Sequence, residues 1–126
     1  MVADQRRVIA FLCAHGALKS RLAAAYFNVD APAGWQAISA GVHPQESVSV
    51  HAAPLLAGTP AAAFLDTDPP RALAAGEVAR VVAIDCQIPG ASQWWLTNDD
   101  PGLAMRDELR TRVHDLIAHL DQEAHL

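Results

Sequence analysis

One stretch near the N-terminus constrains this chain most: the apolar run Val8-Ile9-Ala10-Phe11-Leu12, then Cys13, a short loop, and the alanine-rich run Ser20 to Phe27. A run that is apolar at every position predicts a strand covered on both faces, as in a parallel sheet. The alanines and leucine that follow predict a helix. In open α/β sheets, ligands bind where strands end and loops lead into helices. Cys13 occupies that place, and the loop Cys13-Ala14-His15-Gly16-Ala17-Leu18-Lys19-Ser20 feeds the helix start. Free amides and the positive end of the helix dipole favour an anion there. The same field favours the thiolate, the nucleophilic form of cysteine. Gly16 permits the positive φ of a tight anion-cradling loop, and Ser20 is placed to cap the helix or to hydrogen-bond Cys13.

The rest of the chain continues the alternation. Trp35 to Ala40 reads as a second strand ending at Gly41, and Val48 to Leu56 as a short helix stopped by Gly58 and Pro60. Asp66-Thr67-Asp68-Pro69-Pro70 reads as irregular. Leu73 to Glu77 reads as a helical turn, Ala79 to Asp85 as a third strand, and Trp94-Trp95-Leu96 as a fourth. After the loop Thr97 to Gly102, Leu109, Val113, Leu116, Ile117 and Leu120 fall at helical spacing. The expectation is one α/β domain over residues 1–126, a three-layer fold. Its four-stranded parallel sheet carries helices on both faces, with the anion loop after the first strand.

Composition removes other classes. The 126 residues carry a formal charge of −5, so nothing offers the broad basic surface a nucleic acid needs. The apolar runs fall far short of the ~20 residues of a membrane-spanning helix, so no membrane partner is expected. Arg6 and Arg7 precede too short an apolar run for a signal peptide, which places the chain in the cytoplasm. There, Cys13 and Cys86 are expected as free thiols or a redox pair. No Cys or His set has a metal-ligand spacing, His15 beside Cys13 included, and His114 and His119 do not share a helix face. No bound cofactor is expected.

The loop resembles the signature of low-molecular-weight tyrosine phosphatases and phosphatase-like arsenate reductases: cysteine, five residues, arginine, then serine or threonine. Cys13 and Ser20 match, and Lys19 stands where arginine is expected. His15 and Ala17 fit the reductase version, while Gly16 stands where that version has asparagine. Ser39-Ala40-Gly41 is similar to the family's second-strand ending, and Val81 to Cys86 to its third strand. Asp100-Pro101 resembles the pair that carries the general acid, with Asp99 as its neighbouring competitor.

The resemblance implies chemistry as well as fold. Cys13 would attack phosphorus or arsenic, loop amides would hold the oxygens, and Asp100 would protonate the departing oxygen. Ser39 would support the loop. In a reductase, Cys86 would be the redox partner, with a redox protein or low-molecular-weight thiol as external reductant. The bound species would be a small oxyanion (phosphate, arsenate or sulfate) or a phosphate monoester.

Blander roles stand beside these. Either cysteine suits a core position at the end of a buried strand. Asp100 suits a helix start, and Trp94 or Trp95 suits either the core or a pocket wall. Lys19, the one lysine among nine basic residues, keeps the charge but not the planar fork of arginine. Loss of such a clamp costs on the order of 3 kcal/mol, roughly a hundredfold in rate. Three functions follow: arsenate reduction, hydrolysis of phosphate monoesters including phosphotyrosine, and anion binding without fast chemistry.

Overall fold

A computed structural model describes residues 7–73 and 78–124 of the chain. Its elements are β1 (Arg7–Cys13), α1 (Lys19–Val29), β2 (Trp35–Gly41), α2 (Ala52–Leu56), β3 (Arg80–Ile84), β4 (Ser92–Trp94) and α3 (Leu103–Ala124). A short 3-10 turn over Pro60–Phe64 follows α2, and the sequence pattern had not signalled it. The four strands form one sheet in the order β2-β1-β3-β4, and every pairing is parallel. β1 is therefore central, as its unbroken apolar run requires.

The period of two along β1 divides the core. Ile9, Phe11 and Cys13 face one side, where α1, α3 and the 3-10 turn pack. The Phe11 ring sits 6.0 Å from Phe27 of α1 and 5.7 Å from Trp94 of β4, centroid to centroid. Ala10 and Leu12 face the other side with Ala40, against Leu73, Val78 and Ile88. The helical turn expected over Leu73 to Glu77 falls mostly outside the described residues.

Helix α1 is buried at every position from Ser20 to Phe27. A helix enclosed on all sides cannot be amphipathic, and its three consecutive alanines let it lie close to the sheet. Helix α3 follows its stripe: Met105, Leu109, Val113 and Leu120 are buried, and Leu116 and Ile117 pack at the edge of the core. Helix α2 is shorter than the expected span, beginning at Ala52 rather than Val48. The fourth strand lies two residues earlier than its tryptophans imply. Trp94 ends β4 and packs inward, whereas Trp95 is 57% exposed. Among the described residues, no helix is long and apolar enough to cross a membrane.

Candidate functional site

The register of the sheet brings the ends of β1, β2 and β3 together. Cys13 pairs with Gly41, and Leu12 with Ala83. Beyond these ends the loop from Cys13 to Leu18 turns into α1. Gly16 has φ +66°, and its backbone lies so close to Gly41 that a β-carbon on Gly16 would sit 2.8 Å from the Gly41 nitrogen. A β-carbon on Gly41 would sit 2.6 Å from the Gly16 nitrogen. Both glycines are required here for close approach, and Gly16 for its φ as well.

The loop's carbonyls are consistently occupied. Those of Cys13, Ala14, His15 and Ala17 accept from the amides of Val42, His43, Gln45 and Ser49 at 2.8–3.3 Å. The Gly16 carbonyl accepts from Arg21 Nε at 2.7 Å, and the Leu18 carbonyl from the Leu22 amide at 2.9 Å. By contrast, no amide from Ala14 to Ser20 finds a backbone carbonyl among the described residues. Helix α1 begins with no side-chain cap. A loop whose acceptors are spent and whose donors are free is a cradle for an acceptor, most favourably an anion.

Cys13 is buried, and its sulfur lies 3.2 Å from Ser20 Oγ. In the thiol form the sulfur donates; once it is a thiolate, the hydroxyl donates to it. Ser20 is the second residue of α1, so of its two expected roles the structure shows the bond to Cys13 and not the helix cap. A pocket of about 220 Å³ opens over the cysteine, lined by Cys13, Ala14, His15, Ala17, Leu18, Lys19, Gln45, Ser49, Ile84 and Asp85. A second cleft, of about 290 Å³, lies between α1, the 3-10 turn and α3 and contains none of the expected site residues.

Lys19 reaches across the pocket mouth to Asp85, with Nζ 2.6 Å from Oδ2. Asp85 lies just beyond β3 with φ +52°, and its other carboxylate oxygen accepts from the Leu96 amide at 2.8 Å. The sequence had read residue 85 as the last of a strand; the left-handed backbone instead turns its side chain toward Lys19. Cys86 is half-buried, its sulfur 3.9 Å from the Leu12 carbonyl. Burial pushes its thiol pKa up, and the neighbouring Cys13 pushes it further. Both cysteines are free thiols.

Behind the loop stands Arg21, 2% exposed. Besides holding the Gly16 carbonyl, it donates to the Asp66 carbonyl, and the Asp66 carboxylate pairs with Arg71 at 2.8 Å. Burial lowers the Arg21 pKa, with the Asp66 charge opposing. Burial alone would raise the Asp66 carboxyl, but the Asp68 amide and Arg71 outweigh it and hold it below its ordinary range. Arg71 in turn accepts from the Gly41 amide through its carbonyl, at 2.9 Å. Sequence reading missed this brace. Its one signal was a lone arginine inside a helix otherwise built for burial.

Other expected residues lie elsewhere. Asp100 and its neighbour Asp99 are exposed in the loop before α3 and are not part of the pocket wall. Ser39 is buried in β2, opposite Phe11. Neither Trp94 nor Trp95 lines the pocket. His15 is exposed, its Nδ1 3.3 Å from the His43 carbonyl. Among the described residues, no group of three or more His, Cys, Asp or Glu side chains could hold a metal.

No known family and no curated protein matches the chain by sequence. Solved structures do match by shape. An arsenate reductase from Archaeoglobus fulgidus superposes with a TM-score of 0.70 at 26% identity, over 87% of this chain and 98% of that one. A thioredoxin-dependent arsenate reductase from Corynebacterium glutamicum gives 0.74 at 19% identity, over 97% of this chain and 65% of that one. The YwlE arginine phosphatase from Geobacillus stearothermophilus gives 0.71 at 21% identity, over 93% and 94%. With a parallel four-stranded sheet and a cysteine loop after its first strand, the chain has the fold of the arsenate reductases and low-molecular-weight phosphatases, which are its structural neighbours.

Proposed function

We propose that the Cys13 loop binds a tetrahedral oxyanion and that the chain acts as an arsenate reductase through a covalent Cys13 adduct. The observation that carries this reading is the one-sided hydrogen bonding of the loop: carbonyls engaged, amides from Ala14 to Ser20 free, and a buried thiol at their centre. The Archaeoglobus fulgidus likeness, the highest in identity of the three described, supports the reductase side.

The chemistry balances as follows. The Cys13 thiolate attacks arsenic(V), a sulfur–arsenic bond forms, and one arsenate oxygen leaves as water after protonation. A second thiol then attacks the Cys13 sulfur. Its proton is released, a disulfide forms, and the sulfur–arsenic electron pair passes to arsenic, which becomes arsenic(III). The two electrons come from the two thiols, and an external thiol reductant restores them. Cys86 is the internal candidate for the second thiol. Burial first, and the neighbouring Cys13 second, raise its thiol pKa, so it must lose its proton before it attacks. Ser20 would steady the Cys13 thiolate, and Lys19 would meet the anion at the pocket mouth.

A second reading, anion binding without fast turnover, is favoured by the Lys19–Asp85 pair, which occupies the cation that stands in the arginine position. One experiment separates the readings. Arsenate-dependent consumption of thiol by the wild type, abolished in Cys13→Ala, supports reduction. Release of phosphate from an aryl phosphate without reductant points to hydrolysis. Neither activity, with phosphate still raising the melting temperature, leaves binding alone. Activity that survives Cys13→Ala refutes the nucleophile assignment.

A further inference from the structure

The pocket over Cys13 carries a carboxylate as well as a cradle. Asp85 lines the same pocket as Cys13 and Lys19, and it is fixed there by three constraints: a left-handed backbone, the Leu96 amide on Oδ1 and Lys19 Nζ on Oδ2. A fixed carboxylate facing an anion site is repulsive to any oxyanion presenting only lone pairs. It is attractive to one that brings a hydrogen, because an ionised carboxylate accepts hydrogen bonds and donates none. Oδ2 has lone-pair capacity left beyond its bond to Lys19, and the Lys19 ammonium has donors left beyond its bond to Asp85.

From this we infer that Asp85 is a specificity-determining residue, selecting oxyanions that carry a proton. The inference rests on the proposed oxyanion reading and deepens it to a substrate class. Inorganic phosphate and arsenate keep their last proton until strongly alkaline pH. Sulfate has none at neutral pH, and a phosphate monoester loses its remaining proton near pH 6. The site therefore favours inorganic arsenate or phosphate over sulfate and over fully ionised esters. The Lys19–Asp85 pair then serves as a two-sided contact in which lysine donates to one oxygen and aspartate accepts from another.

The test is calorimetric binding of arsenate, phosphate, sulfate and methyl phosphate to the full chain at pH 8. Arsenate and phosphate are expected to bind roughly tenfold or more tightly than sulfate and methyl phosphate. In Asp85→Asn the ratio should shrink to within about twofold, chiefly because sulfate gains. Asparagine tolerates the left-handed backbone and can still accept from the Leu96 amide, so the variant tests the charge rather than the fold. Equal binding of phosphate and sulfate by the wild type, or an unchanged ratio in Asp85→Asn, overturns this inference and leaves the oxyanion reading standing. Failure of all four anions to bind overturns both.

Discussion

Two loops leave this sheet at the same end and have been built on opposite principles. The loop after β1 has its carbonyls engaged, a glycine pressed against another glycine, and a buried arginine behind it. The loop after β4, from Thr97 to Gly102, is exposed nearly throughout. It is gathered by Glu108, which accepts from the Thr97 and Asn98 amides and holds Arg112. The first arrangement fixes a shape from inside the core. The second organises a surface through a carboxylate on the next helix. A binding site needs the first kind, since a free amide is useful only if its direction is fixed.

The contrast can be broken or sharpened by mutation. Gly41→Ala should do most damage, because the new methyl meets backbone that cannot retreat. A loss of about 3 kcal/mol by denaturant titration is expected, together with loss of phosphate binding. Arg21→Gln should come next. It leaves the Gly16 carbonyl buried without its partner, at a cost of about 2 kcal/mol, and weakens anion binding more than the stability loss alone explains.

Asp66 gives a smaller, pH-dependent effect. Its folded-state pKa lies below the unfolded value, so its contribution is complete above the unfolded pKa of 3.8 and is lost as pH falls through the folded one. Melting temperatures of wild type and Asp66→Asn should therefore differ at pH 6 and converge near pH 2. A gap that stays constant would dissociate the brace from this ion pair. Asp100→Asn should have the least effect, changing turnover less than about twofold, because its side chain is exposed and outside the pocket wall. A drop of a hundredfold would show that the exposed loop closes over the site during turnover.

What could be read from the sequence was contiguous. Strand, cysteine loop and helix follow one another without interruption, and local pattern sufficed to place them and to single out Cys13, Ser20 and Gly16. The contacts that finish the site are not local. Lys19 meets Asp85 across 66 residues, and Arg21 meets Asp66 across 45. Such pairs follow from strand order and from where a strand stops, and neither is written at either residue. Strand β4 shows a different failure. Two adjacent tryptophans pulled the expected strand toward them, although only Trp94 has a partner in the core.

The glycine contact between loop and strand also governs how a ligand can come and go. The loop is tied to the chain just after β2, where the Val42 and His43 amides donate to the Cys13 and Ala14 carbonyls, and β2 is paired along its whole length to the central β1. Opening of the cradle would thus have to break bonds at the end of the sheet as well. Gln45 and Ser49, on the segment between β2 and α2, line the pocket and also donate their amides to the His15 and Ala17 carbonyls, so that segment and the cradle are tied together. Loosening that segment would therefore loosen the cradle with it.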